Sequence, residues 1–549
     1  MQINSFGEIS EEVIQKISKW RNEPLWMLKF RLKSFNKFKE SPLEQSSLFT
    51  RYNNVISEFN GEHLNYLQNE QPKIAQKETD INFLQVDNEI IENNVKYSNF
   101  HDGLILTNIN KAIKKNPELV KKYLEKSSNI IKDKFEYLSD ALFSTGIFLF
   151  LPKGSVINET IRYINRQESM NRGIFNKNFI ILEDESSLNL FNEHYSAVTK
   201  SNKDALIFGI SQDIFVGKNS KLTFTEMELF HDNVSSIINR RVEAQDGSLI
   251  SLSTGYFGGK ITRSRSCSYL IGNKSQVKDL QIVIGSKEEQ YDLATSIYHS
   301  GISTKGIVDV KGVMGGKSQM TLKGMNKIEK KAHDADTFLG GHAILLGNQA
   351  RANIIPGLEI DNRNVKAKHL AAVAPIDDEL LFYMQSRALD KETSTKLIIT
   401  GFLESIVKRI PIESVREQIN EMIEDKFEHM AIYGNKESIQ KEASTINGEY
   451  MKICKLSEVE NGKMKNIEIK NNNILIVNID NKIFATSGQC THESVNLEDG
   501  FILENEITCP VHLSKFDLKT GNPLNPPATE KLRIYNVKIQ NNEIYIELD

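Results

Sequence analysis

The spacing of apolar positions changes several times along the chain, and each change marks a different kind of structure. Ile9, Val13, Ile14, Ile17 and Trp20 recur near a 3.6-residue period. Ser10 stands where a helix N-cap would, with acidic residues just after it. The segment from Trp26 to Leu32 continues the pattern, so a helix is predicted over 8–41. Residues 42–100 are polar, Asn-rich and weakly patterned, and 107–143 read as helical again. From Phe148 to about 375 the chain becomes short β-rich runs broken by Gly, Asn, Asp and Ser. Several runs begin at a similar polar turn, whose common serines Ser187, Ser220, Ser248 and Ser275 are 33, 28 and 27 residues apart. A period of this size predicts a solenoid, here a β-helix, in which each repeat buries its apolar face against the next. A large β-sandwich also has regularly spaced strands and stays open on periodicity alone.

At Pro375 the texture changes once more. Residues 377–384 and 391–430 are strongly helical, with Pro411 separating two helices. Residues 431–449 have few apolar side chains and no period, which predicts a linker. From Met451 onward strands alternate again, in a compact all-β domain.

Composition narrows the class. The chain has 549 residues, 39% hydrophobic and 26% charged, with net charge −4. That implies several domains and no large basic surface for nucleic acid or anionic lipid. No apolar run approaches the roughly 20 residues that a membrane span needs. The longest, Gly146–Pro152, ends at a proline followed by Lys153. The polar, acidic N-terminus lacks the basic and apolar regions of a signal peptide, so a cytoplasmic location is expected. Four cysteines are too few for a disulfide scaffold.

Two of those cysteines sit in one motif. Cys490-Thr-His492 is followed, sixteen residues on, by Cys509-Pro-Val-His512. One cysteine and one histidine from each of two loops suit two centres: a Cys2His2 zinc site, or a [2Fe–2S] cluster in which two imidazoles replace two thiolates on one iron. The flanks GQCTH (488–492) and CPVHLSKFDLKTGNPLNPP (509–527) closely resemble Rieske ferredoxins over about 451–549. The resemblance implies a Rieske [2Fe–2S] cluster held by Cys490, His492, Cys509 and His512. Respiratory Rieske proteins carry an extra cysteine in each loop; none stands here, and Leu513 follows the second histidine. Both features resemble soluble ferredoxins that serve oxygenases, and imply a lower potential than the respiratory type. Cys454 reads as a small core residue.

The first 430 residues resemble another family. Residues 12–32 (EVIQKISKWRNEPLWMLKFRL), 148–154 (FLFLPKG), 376–388 (IDDELLFYMQSRA) and 401–404 (GFLE) are similar to the SufB/SufD family of iron–sulfur assembly scaffolds. The resemblance implies a β-helix core flanked by helical regions. Its expected divisions are an N-terminal helical region (1–145), the β-helix (146–375), a helical region that docks a SufC-like ATPase (376–430), the linker (431–449) and the Rieske domain (450–549). Residues 365–372 (VKAKHLAA) are similar to the SufD stretch whose histidine faces SufB where nascent clusters form, which makes His369 a candidate for that interface. The strand that carries a SufB cysteine reads FLGGHAILLG here (338–347), so a SufD-like chain relying on a SufB-like paralogue for the thiolate is implied. His342 lies next to that position; Cys267 reads as structural. No Walker motif is present, so ATP hydrolysis belongs to a partner.

Together these readings describe a non-enzymatic scaffold subunit with a tethered one-electron carrier, fed by an electron donor. A flexible nineteen-residue linker has an r.m.s. span on the order of 25 Å, and tethering raises the carrier's effective concentration at the scaffold. The alternative is a Rieske ferredoxin component of an oxygenase or other redox system, with the β-helix as docking platform.

Overall fold

The computed structural model describes residues 9–42, 83–91, 103–128, 133–168, 173–196, 206–410, and most of 413–426 and 445–547. The chain divides into two compact units, Met1–Asn435 and Lys436–Asp549.

The first unit is a β-solenoid. Strands alternate between two sheets along the chain, and each pairs in parallel with the strand two before it. One sheet runs through Val156–Gln167, Ser187–Ser196, Lys221–Leu229, Leu249–Tyr256, Gln276–Gly285, Lys305–Gly315, Asp336–Leu346 and Lys366–Pro375. The other runs through Ile147–Leu151, Gly173–Leu182, Leu206–Val216, Val234–Ala244, Ile261–Leu270, Gln290–His299, Gln319–Ile328 and Arg351–Ile360. This alternation excludes the sandwich.

Parallel register stacks like on like. Leu188, Leu222, Ile250 and Val277 are successive partners on neighbouring strands, all buried in the solenoid interior. Each contributes on the order of 1.5–3 kcal/mol of burial.

The turns repeat as strictly as the strands. Gly154, Glu185, Asn219, Gly247, Lys274, Ser303 and Asp334 each hold a positive φ, between 54° and 74°. The residue after each is small and buried: Ser155, Ser186, Ser220, Ser248, Ser275, Thr304 and Ala335. Backbone bonds pass from turn to turn, as in Asn219 N–H to Asp246 C=O and Gly247 N–H to Asn273 C=O, both 2.8 Å. Ser186, Ser248 and Ser275 donate their hydroxyls to the carbonyls of Glu183, Gln245 and Gly272. The serine that belongs to this series is therefore Ser186. Ser187, the member expected from spacing, begins the strand that follows.

Helices cover both outer faces. The helix predicted over 8–41 is two, Glu11–Arg21 and Leu25–Glu40. Asn22, at φ 50°, ends the first, and Pro24 precedes the second. Ser10 does occupy the N-cap position, without a side-chain capping bond. The helical stretch over 107–143 is Ile109–Lys115, Pro117–Ser128 and Lys134–Leu142. These pack on Phe175, Phe179, Ile181, Ile207, Phe215 and Ile237, the outward side of one sheet. Ile399, Leu403, Ile406 and Val407 of helix Lys391–Val407 pack on Met227, Leu280, Ile282 and Val313 of the other. Within the weakly patterned 42–100, a hairpin of Phe83–Val86 and Glu89–Ile91 extends a solenoid sheet. Pro411 lies outside the described residues, as does most of 431–449; Thr445–Ile446 pairs with Tyr450–Met451.

The second unit holds three small antiparallel sheets. One is built of Met464–Ile469, Asn472–Ile479 and Lys482–Ser487, another of Phe501–Leu503, Glu506–Thr508 and Lys515–Asp517. The third joins Tyr450–Lys455 to Glu543–Glu547 and Val537–Gln540.

Candidate functional site

Cys490 lies just past strand Lys482–Ser487, and Cys509 directly follows strand Glu506–Thr508. The two loops close alike: Cys490 N–H donates to Val495 C=O and Cys509 N–H to Ser514 C=O, both at 2.8 Å. Leu497 N–H returns to Gly488 C=O at 2.9 Å, pinning the first loop to its strand. Gly488 is required there, because a Cβ would stand 2.2 Å from Asn466 Oδ1 and 2.3 Å from Asn473 Oδ1. A third segment supports the second loop. Leu524 N–H donates to Lys515 C=O at 2.7 Å, and Asn525 Oδ1 accepts from Lys515 N–H at 2.6 Å.

Both cysteines are buried in one apolar cluster with Leu475, Val477, Leu497, Ile507 and Phe516. His492 is exposed. His512 lies outside the described residues. Cys454 is buried in a different cluster, among Ile453, Ile544 and Ile546. The donor chemistry fits a mixed-ligand iron–sulfur group: two thiols withdrawn from water on one side and an imidazole at the surface on the other.

His369 is exposed on Lys366–Pro375, the last strand of its sheet, opposite Leu339. This strand and Arg351–Ile360 end the two sheets, and Ile360, Leu370 and Val373 stand exposed on them. An open sheet end with apolar side chains is a surface for pairing with another chain. His342 is half-buried one strand in, opposite Ala372. Cys267 is partly exposed yet packed deeply enough that burial pushes its thiol up to about 12, far from reactive. On helix Asp378–Gln385, Phe382 is 73% exposed and Tyr383 49%.

Sequence reasoning did not single out the polar groups inside the solenoid. His194, Glu226, Glu228 and Arg240 are all buried there. Glu226 shares a hydrogen bond with His194 Nε2 at 2.9 Å and accepts from Arg240 Nη2 at 2.5 Å. Burial pushes its carboxyl up, but the guanidinium and His194 outweigh this and hold it below the usual range. Burial, reinforced by the charge of Glu226, drives the Glu228 carboxyl well above that range. His194 lies 32 residues and Arg240 14 residues from Glu226, and no local spacing marks the group.

Comparison with known proteins matches two families to different parts of the chain. Residues 22–163 match the SufBD protein N-terminal region, 163–402 the SufBD core domain of SUF-system FeS cluster assembly, and 449–536 the Rieske [2Fe–2S] domain. Relatives include the iron–sulfur cluster assembly protein SufD of Bacillus subtilis, 27% identical, covering 78% of this chain and 100% of that protein. SufB of the same organism is 24% identical over 76% of this chain and 93% of its own length. Among solved structures, Sphingomonas yanoikuyae B1 ferredoxin is 26% identical, covering 18% of this chain and 97% of that one, with a TM-score of 0.18.

Proposed function

Because this chain joins a SufB/SufD-family body to a C-terminal Rieske [2Fe–2S] domain, we propose that it is a SufD-like scaffold subunit carrying its own electron input for cluster assembly. The observation that carries this reading is the presence in one chain of an open solenoid end bearing His369 and a pair of loops bearing Cys490 and Cys509.

The solenoid end is suited to a SufB-like paralogue. The exposed strands Arg351–Ile360 and Lys366–Pro375 offer backbone and apolar side chains to a partner sheet, and His369 stands on the surface so buried. Strand Asp336–Leu346 contains no cysteine, so the partner supplies the thiolate for the nascent cluster, which is the cargo. Phe382 and Tyr383 form the exposed apolar surface suited to a SufC-like ATPase.

In the Rieske domain Cys490, His492, Cys509 and His512 are the ligands. When bound, the [2Fe–2S] group supplies one-electron transfer. Cys490 and Cys509 exclude water from the inner side by sitting in the apolar cluster. His492 presents its imidazole at the surface, where an electron donor or acceptor reaches it. Electrons are needed in assembly to reduce sulfane sulfur or ferric iron, and a tethered carrier delivers them at high effective concentration.

Anaerobic co-expression with SufB-like and SufC-like proteins tests the reading. The expected result is a complex containing both, whose rate of cluster formation under electron-limited conditions falls when Cys490→Ser removes the Rieske centre. Recovery of a reductase or oxygenase in place of the ATPase, or an unchanged rate in the variant, would refute it.

A further inference from the structure

Inside the solenoid, the inward row of side chains changes from apolar to ionisable within single strands. Leu188 and Leu190 precede Asn192 and His194; on the neighbouring strand Leu222 and Phe224 precede Glu226 and Glu228. The two-residue period of a strand puts all of these on one face. Register then sets Asn192 beside Glu226 and His194 beside Glu228. One potential ligand atom from each of His194, Glu226 and Glu228 lies within 4.8 Å of the others, and all three residues are fully buried. The His194 ring is held in place by Phe208, 5.1 Å between centroids, and by the edge of Tyr163 at 6.5 Å.

A closed network of ion pairs does not account for this cluster. Glu226 is satisfied by His194, Gln212 and Arg240. Neither Glu228 oxygen has a hydrogen-bond partner among the described residues, nor has His194 Nδ1 or either amide atom of Asn192. Buried polar atoms are nearly always bonded. A group of unpaired donor atoms converging from adjacent strands is the arrangement that a bound cation completes. The charges agree. Glu226 and Glu228 are buried carboxylates two positions apart on one strand, and Arg240, bonded to Glu226, is the cation beside them. Once Glu228 has given up its proton, two carboxylates face the single positive charge of Arg240, and a bound cation supplies the missing positive charge.

We propose that His194, Glu226 and Glu228 bind a divalent first-row transition-metal cation inside the solenoid, with the Asn192 amide oxygen as a further donor. The imidazole disfavours Mg2+ and Ca2+, and the carboxylates disfavour Cu+, which leaves the Mn2+, Fe2+ and Zn2+ class. Arg240 occupies one oxygen of Glu226; the other, shared by His194 Nε2 and the Gln212 amide, is the one that turns to the metal. Any proton carried by Glu228 leaves to solvent when the metal binds, so no redox step is involved. The site depends on side chains of the solenoid alone and stands apart from the role proposed for the Rieske domain.

Mn2+ is the probe, because its EPR signal counts free ion directly. Full-length chain carrying its Rieske cluster is titrated anaerobically. One saturable Mn2+ per chain is expected, with a rise in melting temperature that follows mass action. Glu228→Gln, nearly isosteric, should weaken binding by more than roughly tenfold while leaving the Rieske spectrum intact. Cys490→Ser should lose the Rieske spectrum and keep the Mn2+ stoichiometry, separating this site from the cysteine loops. Pulsed EPR of Mn2+ on the wild-type chain should show coupling to one imidazole nitrogen, a readout that needs no variant. Absence of saturable binding, unchanged binding in Glu228→Gln, or bound Mn2+ without nitrogen coupling overturns the proposal.

Discussion

Lys177 Nζ lies 2.8 Å from Asp140 Oδ1, joining a solenoid strand to the helix Lys134–Leu142 packed outside it, and both side chains are withdrawn from water. Asp213, on the next strand of the same sheet, is 2.6 Å from the same ammonium and accepts from Ser127 Oγ. Burial alone would push the Lys177 pKa down; the two carboxylates outweigh it and raise it. Lys177→Met removes the cation that the two buried carboxylates share, leaving Asp213 with Arg241 Nη1 at 3.5 Å. The expected cost is about 3–5 kcal/mol, read from urea unfolding. Trp20 and Trp26, the two tryptophans, lie in the N-terminal helical region, so fluorescence reports on the layer that this link secures.

His299 gives a pH signature. Its ring is buried, Nδ1 shares a hydrogen bond with Thr304 Oγ1 at 2.8 Å, and burial lowers its pKa from 6.5 to about 4. The unfolded chain then binds a proton between those values that the folded chain does not. Stability from this group is complete above 6.5 and is lost as pH falls toward 4. The total is on the order of 3 kcal/mol. His299→Gln should flatten the difference in unfolding free energy between pH 7 and pH 4 by that order. An unchanged slope would show that other groups dominate.

The cysteines divide by the clusters they occupy. Cys490→Ser and Cys509→Ser should each abolish the Rieske EPR signal of the reduced chain. Cys454→Ala should retain it, with a stability loss of about 1–3 kcal/mol from the small cavity.

Gly500 carries a separate constraint on the second loop. A Cβ there would stand 2.0 Å from the carbonyl oxygen of Thr508, which is backbone and directly precedes Cys509. Gly500→Ala should cost about 1–3 kcal/mol and lower the iron content per chain, measured on protein purified at equal yield.

The two surfaces proposed for partners should separate in the same way. Phe382→Asp touches a side chain 73% exposed and should leave stability within about 0.5 kcal/mol while reducing ATPase recovery in pull-downs. His369→Ala, also at an exposed position, should leave the fold intact and slow cluster formation with the paralogue present.

What the sequence made legible follows from how local each signal is. Cys490 and His492, and Cys509 and His512, are near neighbours in pairs, so their chemistry shows in the string itself. The solenoid shows in its period, but spacing alone puts the first member of the turn series one residue late, at Ser187 instead of Ser186. The position that defines each turn is a backbone conformation, and residues as different as Gly154, Glu185, Asn219 and Lys274 adopt it. Apolar periodicity on both sides of Asn22–Pro24 masks the break there. His194 and Glu226 are 32 residues apart and meet only because register stacks their strands. Such a pair is invisible until the coil length is known to the residue.

That stacked register has an evolutionary corollary. Each turn of the series Gly154, Glu185, Asn219, Gly247, Lys274, Ser303 and Asp334 presents a left-handed residue followed by a small buried one, and hands its backbone bonds to the next. Gaining or losing one complete coil leaves every remaining junction self-consistent. Inserting a single residue within a strand would flip each inward side chain beyond it to the outside. Relatives of this body should therefore differ in length by whole coils or by loops at the corners, so that the repeat acts as the indivisible unit of inheritance.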